Sequence, residues 1–154
     1  MQKKRKYQIK FGTLILLILY FLVLVYVCFI SEAYGRADLS DSYHYNLIPF
    51  REITRFYVYR DVVGAKAFVL NLFGNVIAFM PFGLFIPILF ARRRSLKSIL
   101  RMTFLLSLGI EIIQLLTRTG SFDVDDLILN TLGGVLGYLV FVILDLFRRY
   151  RYGS

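Results

Sequence analysis

FGTLILLILYFLVLVYVCFI, residues 11–30, runs for twenty residues without a charge. At about 1.5 Å of rise per residue, a helix of that length crosses a hydrocarbon core of about 30 Å. Three further apolar blocks of similar length come later in the chain, at residues 68–90, 99–116 and 127–147. Of the 154 residues, 58% are hydrophobic, and the mean hydropathy is +0.64. A soluble domain of this size carries about 45–50% apolar residues and has too little interior to hide the surplus. The expectation is an all-α membrane protein, a bundle of four transmembrane helices forming a single domain.

The charges orient that bundle. Lys3, Lys4, Arg5, Lys6 and Lys10 precede the first span. Arg92, Arg93, Arg94, Lys97 and Arg101 lie around the turn between spans two and three, and Arg148, Arg149 and Arg151 come after span four. These 13 basic residues share one side of a four-span hairpin with Asp145 alone, whereas eight acidic residues lie on the other. The positive-inside rule makes the basic side cytoplasmic, with both termini there. The net charge of +9 then reads as topology signals and contacts with anionic lipid, not as nucleic-acid binding. Ser31 and Ala33 are spaced like a signal-peptide cleavage site. However, the preceding apolar run exceeds the roughly 7–15 residues of a signal core, so the first span is expected to stay.

The long connection between the first two spans, residues 31–67, is extracytoplasmic in this topology. It carries Tyr34, Tyr43, Tyr45, Phe50, Phe56, Tyr57 and Tyr59, residues suited to a membrane interface. Asn46-Leu47-Ile48-Pro49-Phe50 reads as a turn, because the residue before proline avoids the helical region. Residues 51–59 fit either a short helix or an irregular loop. The single cysteine, Cys28, permits no intramolecular disulfide.

The informative residues are polar groups set where lipid forbids them. At about 100° per residue, Thr103, Ser107, Glu111, Gln114 and Arg118 share one stripe on span three. A charged side chain deep in hydrocarbon costs at least about 2.5–3.5 kcal/mol, so the stripe must face other helices or water. Asp126, Asn130, Gly133 and Gly137 form a matching stripe on span four, and the two glycines let helix backbones approach closely. Asn71 and Asn75 lie four residues apart on span two. Asn71, Asn75, Glu111, Gln114, Arg118, Asp125, Asp126 and Asn130 are therefore candidates to line one outward-facing polar pocket. The plainer reading makes the asparagines interhelical glue, Asp123 an N-cap, and Asp125 and Asp126 first-turn acids favoured by the helix dipole. No metal or other cofactor is expected. Asp-Val-Asp-Asp is a weak cation signal, and one histidine, His44, is too few for zinc.

Several of these segments resemble a known family. Asn75-Val76-Ile77-Ala78-Phe79-Met80-Pro81-Phe82-Gly83, Glu111-Ile112-Ile113-Gln114, the run from Arg118 through Asp123-Val124-Asp125-Asp126, and Asn130-Thr131-Leu132-Gly133-Gly134 are similar to the ordered motifs of VanZ-like proteins. Asn46-Leu47-Ile48-Pro49-Phe50 resembles a further segment of its short members, and the similarity covers roughly residues 45–138. It implies a bacterial plasma-membrane protein of the cell envelope, whose namesake is associated with low-level resistance to teicoplanin, a lipoglycopeptide. Two functions of different class fit it. One is a binding protein for a lipid headgroup, a lipid-linked cell-wall precursor or a lipoglycopeptide. The other is an intramembrane enzyme on a lipid-linked substrate, with Glu111 or Asp126 as general base. A carrier is disfavoured because the stripe does not stay strongly polar to the cytoplasmic end.

Overall fold

The computed structural model describes residues 2–30, 44–59 and 65–152. The candidate cleavage residues Ser31 and Ala33 and the loop tyrosines Tyr34 and Tyr43 lie outside the described residues, as does the side chain of Asn71. Among the described residues, four helices are long and apolar enough to span a membrane: α1 (Gln2–Phe29), α3 (Ala65–Leu89), α4 (Leu96–Thr117) and α5 (Val124–Tyr152). A short helix, α2 (Arg51–Val58), lies between α1 and α3, so the connection is helical there rather than irregular. The chain is a multi-pass membrane protein.

The helices outrun their apolar blocks. Lysine, arginine and glutamine are good helix formers, and α1 accordingly reaches back to Gln2, well ahead of residue 11. The 29 residues of α5 extend about 43 Å, longer than the hydrocarbon core, which carries its last arginines clear of the apolar region.

Packing is organised by α3 against α5. A Cβ on Gly133 would overlap the Val76 carbonyl, one on Gly137 the Met80 carbonyl, and one on Gly83 the Gly134 carbonyl. The two backbones therefore touch directly, as the glycine spacing on span four predicts. On the other side of α5, Thr103 of α4 sits against Gly134. The outermost helix is α1. It presents Leu17, Tyr20, Phe21 and Leu24 to a core containing Phe79, Phe82, Ile86, Ile99 and Ile110, and leaves its other faces exposed to lipid. The tight turn after α3, a 3₁₀ segment at Ala91–Arg93, is pinned by Arg94. Its Nε donates to the Pro87 carbonyl at 2.8 Å, and its guanidinium lies 5.4 Å from the Phe141 ring centroid.

At the opposite end two short strands pair in parallel, which the sequence did not announce. β1 (Tyr45–Asn46) aligns with β2 (Phe122–Asp123), Tyr45 against Phe122 and Asn46 against Asp123. The Phe122 amide also donates to the His44 carbonyl at 3.1 Å. This bridge brings the segment after α1 onto the entrance of α5.

Candidate functional site

The bridged end of the bundle, the α2 end, gathers the acidic residues. Asp123 immediately precedes α5, and its Oδ1 accepts the Asp125 amide at 2.8 Å. That is an N-cap, satisfying one of the amides that open a helix. The same oxygen accepts Asn46 Nδ2 at 3.1 Å, while Asn46 Oδ1 accepts the Ile48 amide at 3.2 Å and sets the turn before Pro49. Burial of the Asp123 carboxyl raises its pKa above the ordinary aspartate value, and those hydrogen bonds pull it partly back.

Asp125, only 1% exposed, turns the other way and caps α2. The residue before α2 is Phe50, whose side chain has no oxygen to serve as a cap. Asp125 supplies it from α5. Its Oδ1 accepts the Phe50 amide, and its Oδ2 accepts the Glu52 and Ile53 amides at 2.8 and 3.1 Å. A carboxylate at a helix N-terminus meets both unpaired N–H groups and the positive end of the dipole. The contact also holds Phe50 at φ 64, a left-handed conformation that costs a non-glycine residue roughly 1–2 kcal/mol.

Glu111 is 2% exposed, and its Oε2 accepts the Asp123 amide at 3.0 Å. It therefore supports β2 from below and acts as a positioning residue for the acidic cluster. In Glu111→Gln the amide oxygen can still accept that N–H, so thermal unfolding in detergent should stay within about 1 kcal/mol of wild type. In Glu111→Leu the Asp123 donor is left buried without its acceptor, a loss of about 1–3 kcal/mol. Equal losses in both variants would mean that the fold uses the charge rather than the acceptor.

The remaining candidates separate. Asn75 Nδ2 meets Asp126 Oδ1 at 2.5 Å across the α3–α5 seam, and both residues are partly exposed. Gln114 is buried and donates from Nε2 to the Cys28 carbonyl on α1 at 2.8 Å, away from that seam. Asn130 is buried deeper in the bundle, where its Nδ2 donates to Ser107 Oγ at 2.9 Å. Arg118 does not continue the buried stripe. It ends α4 in the left-handed region at φ 56, is exposed, and donates its amide to the Leu115 carbonyl at 3.3 Å. Thr103, Ser107, Glu111 and Gln114 form the buried stripe, which meets α1 through Gln114 and α5 through Ser107 and Thr103. Among the described residues no cluster of metal-ligating side chains forms. Asn46 was not among the candidates drawn from the sequence, though its position two residues before Ile48 in a proline turn is an Asx-turn signal.

The sequence model of the VanZ/LLP1 family matches residues 17–145. The chain belongs to the VanZ/LLP1 family. Protein VanZ of Enterococcus faecium is 33% identical over 125 residues, covering 79% of this chain and 68% of that protein. No solved structure matches at a significant level. The matched region takes in both halves of the α2 end, from β1 and its turn to the first turns of α5.

Proposed function

We propose that this family member binds an amphiphile at the α2 end, with its polar head on Asn75 and Asp126 and its chains along the lipid-exposed helices. The observation that carries this reading is the Asn75–Asp126 contact, an amide and an acid of two partly exposed residues that meet across the α3–α5 seam. Around it, Asp123, Asp125 and Glu111 are buried and engaged with backbone amides. They hold the wall, while Asp126, partly exposed as a residue, faces Asn75 across the seam. A carboxylate beside an amide suits hydroxyl and ammonium donors. Lipid headgroups, lipid-linked cell-wall precursors and lipoglycopeptides carry such groups on apolar chains. Of the two acids that could serve as general base, Glu111 is already engaged by the Asp123 amide, and the nearby Glu52 is engaged by Arg55 at 2.7 Å.

In cells, expression should change teicoplanin susceptibility, and Asp126→Asn, which keeps the side-chain shape, should abolish the change. A wild-type effect that survives intact in Asp126→Asn would refute the assignment of the head-binding group.

The α2 end faces outward in this reading, with both termini in the cytoplasm of a bacterial plasma membrane. Support comes from the exposed Arg92, Arg93, Arg148 and Arg149 at the other end. In a Cys28→Ala background, cysteines replacing Arg93 or Arg149 should resist an impermeant thiol reagent in intact cells, and one replacing Gly120 should label. Labelling at position 93 without lysis would invert or break the topology.

A further inference from the structure

We infer that the turn before α2 is a membrane-inserting wedge: Leu47, Ile48 and Phe50 enter the headgroup–acyl boundary of the leaflet at the α2 end. The partner is a lipid surface. Leu47, Ile48 and Phe50 flank Pro49 and are 61%, 59% and 59% exposed. Three large apolar side chains clustered on one turn are not an ordinary aqueous surface.

The backbone at Phe50 is an independent observation. Its left-handed conformation would suit glycine or asparagine better. The Asp125 carboxylate nevertheless holds it there through the Phe50 amide. The ring so presented does not pack into the core. A strained position that carries a large side chain and leaves most of it exposed points to something outside the protein.

The position of the turn selects lipid over another protein. β1 pairs with β2, and the next residue, Val124, opens α5. The turn is therefore fixed at the level where the span begins. α2 packs on α3 and α5, and the same end of α3 leaves Phe73 and Ile77 exposed toward lipid. The turn and this end of α3 thus both present large apolar side chains outward. On α2 itself, Arg51, Thr54, Arg55, Tyr57 and Val58 are exposed, while Glu52, Ile53 and Phe56 are partly covered.

The test uses the full chain with Cys28→Ala, reconstituted in vesicles of phosphatidylcholine and phosphatidylglycerol. Single cysteines at positions 48, 50 and 54 carry an environment-sensitive fluorophore. Labels at 48 and 50 should be quenched by doxyl-lipid and shielded from aqueous iodide, with the label at 54 showing the reverse. Iodide quenching at 48 and 50 equal to that at 54 would overturn the proposal. Shielding of 48 and 50 from both quenchers would overturn it too, since a second protein copy would then cover the turn. Phe50→Gly, which relieves the backbone strain, should keep or raise the unfolding temperature while the label at 48 loses several-fold in doxyl quenching. A drop in unfolding temperature would show the ring packs within the protein, again contradicting the wedge.

Discussion

Gly137→Leu should abolish recovery of monodisperse protein in detergent. A side chain at position 137 meets the Met80 carbonyl, a backbone group that cannot swing aside as a side-chain tip could. α3 and α5 would have to separate, and with them the contacts of Gly133 on Val76 and Gly83 on Gly134. Overpacking a core costs about 1–3 kcal/mol when side chains can adjust. Here the obstacle is the main chain along the most extensive helix pair among the described residues, so the effect should exceed that range. Gly109→Leu is the matched control, because a Cβ there meets nothing within 4 Å and glycine is a poor helix former. Gel filtration should show aggregate or no protein for Gly137→Leu and a wild-type peak for Gly109→Leu. A wild-type profile for Gly137→Leu would refute the α3–α5 contact.

Asp125→Ala should release the segment from β1 through α2 while the four spans stay assembled. The substitution deprives the Phe50, Glu52 and Ile53 amides of their acceptor at once. A hydrogen bond to a charged group contributes about 1.5–3 kcal/mol. Because the three share one carboxylate their losses do not add, and about 3 kcal/mol is the expected total. Hydrogen exchange reads this locally: protection at positions 50, 52 and 53 should fall sharply, with that of α3 and α5 little changed. Asp125→Asn, which keeps one acceptor oxygen, should fall between. Unchanged protection in Asp125→Ala would contradict the cap.

The sequence makes the spans plain because each is a solvent-matching requirement written into twenty or so neighbouring residues. The buried stripe of α4 is equally legible, since Thr103, Ser107, Glu111 and Gln114 recur at helical spacing and a lipid-facing Glu111 would be too costly. The α3–α5 seam shows in Gly133 and Gly137. What spacing cannot show is which partner each polar group takes. Gln114 shares the stripe with Glu111 yet reaches a carbonyl of α1, and Asn130 closes on Ser107 within the stripes themselves. Arg118 lies at the right angle on the wheel, but the helix ends there, in a left-handed residue ahead of Gly120. Asp125 resembles a first-turn acid answering its own helix dipole. Its actual role, capping a helix more than seventy residues earlier, depends on a two-residue strand pairing too short to leave a pattern.

Native mass spectrometry of the purified protein tests most directly whether Asn75 and Asp126 hold the polar head of an amphiphile, as we propose. Wild type and Asp126→Ala would be released from detergent under the same conditions, with and without added teicoplanin. A lipid or lipoglycopeptide adduct is expected on wild type and lost in Asp126→Ala, while gel filtration shows both proteins equally monodisperse. Adducts of the same mass and abundance on both proteins, or none on wild type, would contradict it.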